Sequence, residues 1–223
     1  MHNWPSVDIG AVVCLEGARM AALTNFDVVV RGSGGHGSMP HLNVDAIVCA
    51  ASIVQSLQTV VSRNVDPLVA GLLSINLIEG GSPVNRVADQ VLLRGTVRSL
   101  RDDVLDRMMV RLEEVVRGTA SAYECESEVV WGRRVPAVWN SHELLAEALA
   151  CVRTSGCELA DAPATLVGED FAYYREHVPS FFFWCGSRAD GARVRELHAP
   201  DYFAPDTVIA HAARLYAACA AKG

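Results

Sequence analysis

The chain has 223 residues, of which 51% are hydrophobic, and a net charge of −7 at pH 7. This composition suits one large or two small folded domains and excludes the low-hydrophobicity, high-charge signature of a disordered chain. An acidic chain without clustered Lys and Arg disfavours a nucleic-acid partner. The apolar stretches are too short to span a membrane and no secretory signal is visible, so we expect a cytoplasmic protein with no membrane partner.

The 7 cysteines are scattered and none stands in a CxxC pair. An odd, dispersed set is typical of buried thiols in a reducing compartment, and it argues against a disulfide scaffold or a zinc finger. A nucleophilic Cys is the alternative. Such cysteines more commonly serve as small hydrophobic residues of the core.

The first predicted elements are short strands around residues 12–13 and 25–30. A glycine-rich loop follows at residues 32–37, and we expect its glycines to permit turns with positive φ. Asn43 is then expected to cap a helix that begins at Val44. The apolar residues of that helix recur at helical spacing and form one predicted buried stripe: Val44, Ile47, Val48, Ala51, Val54, Leu57 and Val61.

The middle of the chain continues with strands at residues 68–78 and 90–97. Ser99 and Asp102 fit a capping box at the start of the next helix. Its predicted buried stripe comprises Val104, Leu105, Met108, Leu112, Val115 and Val116. With a further strand at residues 125–130, the order over residues 24–132 is β-α-β-β-α-β. This order predicts a four-stranded antiparallel sheet with two helices on one face, the ferredoxin-like arrangement.

The pattern changes after residue 133. A helix capped by Asn140 or Ser141, a buried strand at residues 181–185 and an Ala-rich helix at residues 206–221 predict an α/β layer distinct from the middle sheet. The fold class is therefore α/β (α+β), with a ferredoxin-like middle part followed by a separate α/β layer.

Histidines in loops are the first candidates for chemistry. His2, His36, His41 and His198 each lie near Gly or Pro, and loops often carry function. Taken singly, each fits a solvated loop imidazole, and no HxxxH or HxH pair supports a metal site by spacing.

Other motifs are weaker still. The glycine-rich loop does not match the dinucleotide-binding pattern GxGxxG, and it lacks the GK[ST] of a P-loop. The adjacent Glu169 and Asp170 could do acid–base work, but an exposed helix N-terminus is the commoner explanation. The absence of a GxSxG elbow disfavours a serine hydrolase.

A series of segments in one order is far more specific than any of these motifs alone. In chain order they are HNWP, FxVxVxGxGGHGSxPH, SRNVDP, GGxxxN, GTVRSL, GEDFAYY and LHAPDYF. Together they resemble the aminoacylase, hippurate hydrolase and indole-acetyl-amino-acid hydrolase family of metal-dependent amidohydrolases, and the likeness covers essentially the whole chain.

The resemblance implies a catalytic α/β domain with an inserted lid domain that commonly forms a homodimer. Residues 1–23 would end the first half of the catalytic domain, residues 24–132 would form the lid, and residues 133–223 would form the second half. The implied reaction is hydrolysis of N-acyl amino acids or hippurate-type amides. Two divalent metals (Zn, Mn or Ni) would activate a water, with a Glu as general base.

Particular residues match the family's functional positions. His2 and His198 match metal ligands, and His36 matches the lid histidine that stabilises the oxyanion or touches the substrate, often from the partner subunit. Asn85 and Arg98 match lid positions that hold the substrate carboxylate. Glu169 and Asp170 match a segment close to the site, and we do not expect them to be ligands.

Upstream of HNWP the family carries its remaining metal ligands and the general base, and this sequence has no counterpart for them. Two imidazoles cannot hold a catalytic metal pair. We therefore expect a truncated form with little or no activity alone. The alternative is a non-catalytic dimerisation or binding module that retains the lid fold; an RNA-binding ferredoxin-like domain is disfavoured by the acidity.

Overall fold

The structure is a computed structural model that describes residues 1–81, 83–189 and 197–221. Its strands are β1 (His2–Asp8), β2 (Ala11–Val13), β3 (Gly17–Met20), β4 (Ala22–Arg31), β5 (Gly35–His36), β6 (Gly71–Gly80), β7 (Arg86–Val87), β8 (Gln90–Ser99), β9 (Glu126–Trp131), β10 (Val138–Asn140), β11 (Glu158–Ala160) and β12 (Trp184–Arg188). Its α-helices are α1 (Ala46–Ser62), α2 (Asp102–Ala122), α3 (Leu145–Ser155) and α4 (Thr207–Ala220). Short 3-10 helices occupy Pro40–Leu42, His142–Leu144 and Asp170–Glu176.

The chain divides into two compact units. The terminal unit comprises Met1–Met20, Val138–Thr165 and Asp170–Gly223, and the central unit comprises Ala21–Ala137 and Leu166–Glu169. The roles that the sequence assigns to these stretches, a catalytic domain and an inserted lid, stay predictions. No helix in the described part of the chain is long and apolar enough to cross a membrane.

The central unit contains the predicted β-α-β-β-α-β arrangement, and the fold class is confirmed. Its four strands lie in the order β6-β8-β4-β9 with every neighbouring pair antiparallel. Alternate residues of β4, such as Phe26, Val28 and Val30, are buried against α1 and α2, as the period of two in a half-buried strand requires.

Helix α1 begins later than predicted. Asp45 is its N-cap, with Oδ1 accepting from the N–H groups of Ile47 (2.9 Å) and Val48 (3.3 Å). Asn43, the predicted cap, instead donates to Met39 O.

The predicted stripe of α1 is wrong at Ile47 and Val48, which are about half exposed, whereas Leu57 is buried and Val54 and Val61 are partly buried against the core. The buried face consists largely of small residues that let the helix approach the sheet closely: Ala46, Cys49, Ala50, Ile53, Leu57 and Val60.

The predicted capping box of α2 is wrong, although its buried stripe is confirmed at Leu105, Met108, Leu112 and Val116. Arg101 is the N-cap and makes no capping bond with its side chain. Ser99 instead donates to Ala70 O (2.8 Å). The Asp102 carboxylate accepts from the Ala137 N–H (3.3 Å), because contacts outside the helix compete for both side chains.

The terminal unit has a mixed sheet in the order β1-β12-β2-β11, in which β12 runs parallel to β1 and antiparallel to β2. Strands β3 and β10 form a separate antiparallel pair. One hydrophobic cluster joins the sheet to α3 and α4, and a second contains Val7, Val13 and Trp184.

The predicted strand at residues 181–185 begins only at Trp184. Phe182 is buried just before it, and its backbone groups bond to the Asn140 side chain: its N–H donates to Oδ1 (2.7 Å) and its carbonyl accepts from Nδ2 (2.9 Å). Asn140 therefore holds an irregular segment and does not cap a helix. Ser141 precedes the 3-10 turn His142–Leu144, after which α3 begins.

Candidate functional site

A loop of the central unit brings His36 and Asn85 side by side. Strands β5 and β7 form a short antiparallel ladder in which His36 pairs with Arg86. The next amide, Gly37 N–H, donates to Asn85 O at 2.8 Å. Two of the residues singled out in the sequence are therefore neighbours in space. The His36 side chain is exposed.

The glycines of this loop serve close approach and not positive φ, so that expectation was wrong. None of Gly32, Gly34, Gly35 and Gly37 has positive φ. A Cβ on Gly32 would overlap the Val44 carbonyl, and one on Gly35 would overlap the Asn43 side chain. Without Cβ atoms the loop packs its backbone directly against the segment that leads into α1.

Arg98 lies elsewhere in the central unit. It belongs to the far end of β8, eight residues beyond Gln90, which corresponds to roughly 25 Å along a strand. The His36 loop lies near the start of β8, where Gly32 N–H donates to Asp89 O (2.9 Å). The structure therefore separates Arg98 from His36.

Only part of the hydrogen-bonding capacity of the Arg98 guanidinium is satisfied within the described part of the chain. Nη1 donates to Leu166 O at 2.9 Å. Its Nε is buried and has no hydrogen-bond partner among the residues described. The Nε–H of Arg98 is therefore a donor that has no acceptor among the described residues and is shielded from solvent.

His2 opens strand β1 of the terminal unit. Its Nδ1 lies 2.7 Å from Asn3 O. A carbonyl oxygen can only accept, so Nδ1 carries the proton in this contact and Nε2 keeps its lone pair. A histidine that binds a metal through one ring nitrogen usually donates the N–H of the other to a carbonyl or carboxylate. The Nδ1 contact of His2 has this form.

His198 lies in a turn with an unusual backbone. Its φ is +66°, a left-handed conformation that non-glycine residues adopt at a cost. Tyr202, which closes the following turn by donating its N–H to Ala199 O (2.9 Å), has a hydroxyl that accepts from the Asn3 side chain and lies 2.9 Å from Ser187 Oγ. The turn that carries His198 is thereby tied to the strand that carries His2.

The sequence interpretation missed Tyr202, Asn3 and Ser38 as contributors. Each lies within four residues of a candidate histidine, inside the motifs LHAPDYF, HNWP and GHGS. Position within a motif is the only signal that could have indicated them, because their partners are distant in sequence or belong to the backbone.

A metal pair does not fit the described residues alone. Among them, no group of three or more His, Cys, Asp or Glu side chains could hold an ion. His2 has the protonation pattern of a single ligand, but a stable site needs further donors.

The adjacent acidic residues Glu169 and Asp170 belong to different units. Asp170 is exposed in the first turn of the 3-10 helix Asp170–Glu176, as the helix N-terminus interpretation predicts. Glu169 is half-buried in the central unit.

The cysteines are buried, as predicted, apart from the partly exposed Cys219. Burial raises the pKa of the Cys14 thiol to about 11 and that of Cys49 to about 12. These two thiols stay protonated near neutral pH, which argues against either as the alternative nucleophile.

A mixed sheet with helices in the terminal unit and a four-stranded antiparallel sheet with two helices in the central unit define an α/β protein, and comparison with known proteins identifies its family. The sequence pattern of Peptidase family M20/M25/M40 matches residues 8–222. The chain belongs to this family.

Two curated relatives illustrate the match. An N-acetylcysteine deacetylase of Bacillus subtilis (strain 168) is 31% identical over 217 residues, which cover 97% of this chain and 56% of the relative. An N-acetyldiaminopimelate deacetylase of Geobacillus sp. (strain WCH70) is 35% identical over 187 residues, which cover 83% and 50%. The chain therefore spans about half the length of these curated relatives.

Solved structures agree with the fold. A protein from methicillin resistant Staphylococcus aureus superposes with a TM-score of 0.91 at 26% identity, covering 99% of this chain and 57% of that chain. A dinuclear metal binding peptidase of the M20 family from Bacillus subtilis gives a TM-score of 0.80 at 27% identity, covering 99% and 55%.

Proposed function

We propose that this chain provides part of a metal-dependent amidohydrolase that removes acyl groups from small N-acyl amino acids. The observation that carries the proposal is the near-complete match of this chain to relatives named as deacetylases of N-acetylcysteine and N-acetyldiaminopimelate. The terminal unit would supply one edge of the catalytic domain, and the central unit would supply the lid.

His2 and His198 are the proposed metal ligands. The hydrogen bond from His2 Nδ1 to Asn3 O leaves Nε2 available, and neutral imidazole suits Zn, Mn or Ni. The left-handed His198 turn, tied to β1 through Tyr202 and Asn3, supports a shared role for the two residues. Bound metals polarise the scissile carbonyl and acidify a water. Their other donors must come from outside the described residues, so we expect this chain alone to hydrolyse little or no substrate.

His36 and Asn85 are proposed to contact the substrate, and Arg98 to hold its carboxylate. The separation of roughly 25 Å along β8 exceeds the length of a small N-acyl amino acid. One copy of the lid therefore cannot place all three residues on one substrate. We therefore propose that the His36 and Asn85 end contacts a substrate bound to a second copy of the chain.

A zinc titration tests the metal part of this proposal. Calorimetry of the full chain with Zn²⁺ should show weak binding of one ion. His198→Ala should weaken that binding by at least about tenfold, since a ligand is lost. His41→Ala is the matched control, because His41 is an exposed histidine of the 3-10 helix Pro40–Leu42, outside the proposed site. Dimerisation without any zinc binding would instead support the alternative, a non-catalytic module built on the lid fold.

The proposed homodimer has a candidate surface along the edge strand β6. This strand has one hydrogen-bonded neighbour in its sheet. Exposed apolar residues lie on it and on the adjoining helix α1, with Ile78 at 62% exposure and Ile47 at 47%. An open strand edge with apolar neighbours is suited to pairing with a second copy.

Light scattering coupled to size exclusion tests this surface. The wild-type chain should elute as a dimer and Ile78→Lys as a monomer, because a charge would be buried at the new interface. Leu68→Lys is the control: Leu68 is 94% exposed but precedes β6. Dissociation by both variants, or by neither, would contradict pairing through β6.

A further inference from the structure

The Nδ1 atom of His36 faces two groups of one residue. The backbone nitrogen of Ser38 lies 3.2 Å from it, and the Ser38 hydroxyl oxygen lies 2.9 Å from it. A hydroxyl can donate or accept, so it does not discriminate between the two forms of the ring. A backbone N–H can only donate, and it therefore requires the lone pair of Nδ1.

The Ser38 amide is held in place by its neighbours. Gly37 N–H donates to Asn85 O (2.8 Å) and Met39 N–H donates to His36 O (2.9 Å). His36 itself is paired with Arg86 in the β5–β7 ladder. With the amides on both sides engaged, the orientation of the Ser38 N–H towards the ring is a property of the loop backbone.

We infer that Ser38 is a positioning residue whose main-chain N–H fixes neutral His36 in the Nε2–H form, so that the exposed edge of the ring donates a hydrogen bond to a substrate oxygen. Neutral imidazole carries one proton, and with Nδ1 accepting, that proton resides on Nε2. In this form Nε2 has no lone pair to bind a metal or to take up a proton. It can donate to a carbonyl or carboxylate oxygen and to the negative oxygen of a tetrahedral intermediate.

The inference deepens the proposed function and rests on it for the identity of the acceptor oxygen. The protonation pattern itself does not depend on any substrate. It is also the opposite of the pattern at His2, where Nδ1 donates to a carbonyl. Two histidines of one chain thus provide an internal comparison.

The test is nitrogen NMR of the full chain with ¹⁵N-labelled histidine, at a pH well above the ordinary imidazole pKa of about 6.5 so that the rings are neutral. His36, assigned from the spectrum of His36→Gln, should show a protonated Nε2 and a bare Nδ1. Ser38→Ala should keep this pattern because the main-chain donor remains. A protonated Nδ1 in the wild-type chain would overturn the inference, and so would loss of the pattern in Ser38→Ala.

Amide hydrogen exchange supplies a second measurement that needs no variant of Ser38. In His36→Ala the Ser38 amide loses its acceptor and should exchange about three- to tenfold faster, the value of one exposed hydrogen bond. His41→Ala should leave that rate unchanged. An unaltered rate in His36→Ala would overturn the inference. If the chain binds no Zn²⁺ but shows the Nε2–H pattern, the proposed metal site is contradicted. The assignment of the His36 proton is then still supported.

Discussion

His2 and His36 belong to different units, and their backbone hydrogen bonds give the two imidazole rings opposite protonation patterns. At His2 a backbone carbonyl accepts from Nδ1, so Nε2 keeps a lone pair. At His36 a backbone N–H donates to Nδ1, so Nε2 carries a proton. The neighbouring main chain, and not the imidazole, decides whether each ring can act as a ligand or as a donor.

The largest expected effect is on Zn²⁺ affinity, and it tests directly whether His2 and His36 have different roles. His2→Ala should weaken Zn²⁺ binding by about 10- to 100-fold or more, since even residues behind a ligand are worth that much. His36→Ala should leave the Zn²⁺ dissociation constant within about twofold, because its Nε2 has no lone pair in the neutral form. Competition with a coloured chelator measures both. Equal losses in the two variants would contradict the division of roles.

A second prediction tests how the His36 loop is held. Gly32→Ala should lower the free energy of unfolding by about 1–3 kcal/mol, because the new methyl group overlaps the Val44 carbonyl and the backbone must shift. Urea denaturation measures the change. Gly118→Ala is the matched control, since a Cβ there meets nothing within 4 Å on helix α2. That variant should gain about 0.5–1 kcal/mol, and a loss of similar size in both variants would refute the close-approach argument.

A third prediction compares the units through their buried thiols. Burial raises the pKa of Cys185, beside β1, to about 11, and that of Cys49, in α1, to about 12. A raised pKa means that the folded state retains a proton that the unfolded state releases, so stability is full below the ordinary value of 9.0 and falls as pH rises towards 11 or 12. The fall should reach up to about 1.4 kcal/mol per pH unit for each thiol.

Urea midpoints between pH 8 and pH 10.5 measure this slope. Cys185→Ala and Cys49→Ala should each flatten it, whatever they do to the absolute stability. If the slope in both variants equals that of the wild-type chain, ionisation of these thiols does not drive the alkaline loss.

The sequence predicted the layers of this fold better than their boundaries. The β-α-β-β-α-β order and the buried face of α2 follow from apolar periodicity, which the structure reproduces at Leu105 and Met108. The start of α1 did not follow. Asn43 and Asp45 are both good caps, and the choice between them is made by contacts outside the helix, such as the Asn43 side chain against Gly35.

The sequence motifs supply the candidate site residues but not their arrangement in space. The motifs named His36, Asn85 and Arg98, but only strand register reveals that Arg98 lies at the opposite end of β8. The hydrogen bonds that fix each imidazole come from backbone atoms at Asn3 and Ser38. Backbone donors carry no residue-type signature, so sequence alone cannot indicate which ring nitrogen they meet.

The smallest expected effect concerns the tie between the His198 turn and β1. Tyr202→Phe removes the hydroxyl that accepts from Asn3 and bonds with Ser187. It should lower the free energy of unfolding by only about 1–2 kcal/mol, the net value of two partly exposed hydrogen bonds. It should also speed amide exchange around Ala199 while leaving the His36 loop unchanged. Tyr174→Phe, at an exposed tyrosine of the same unit, should do neither. Faster exchange in both the turn and the His36 loop would mean that the two histidine regions are not held independently, and the comparison would lose its basis.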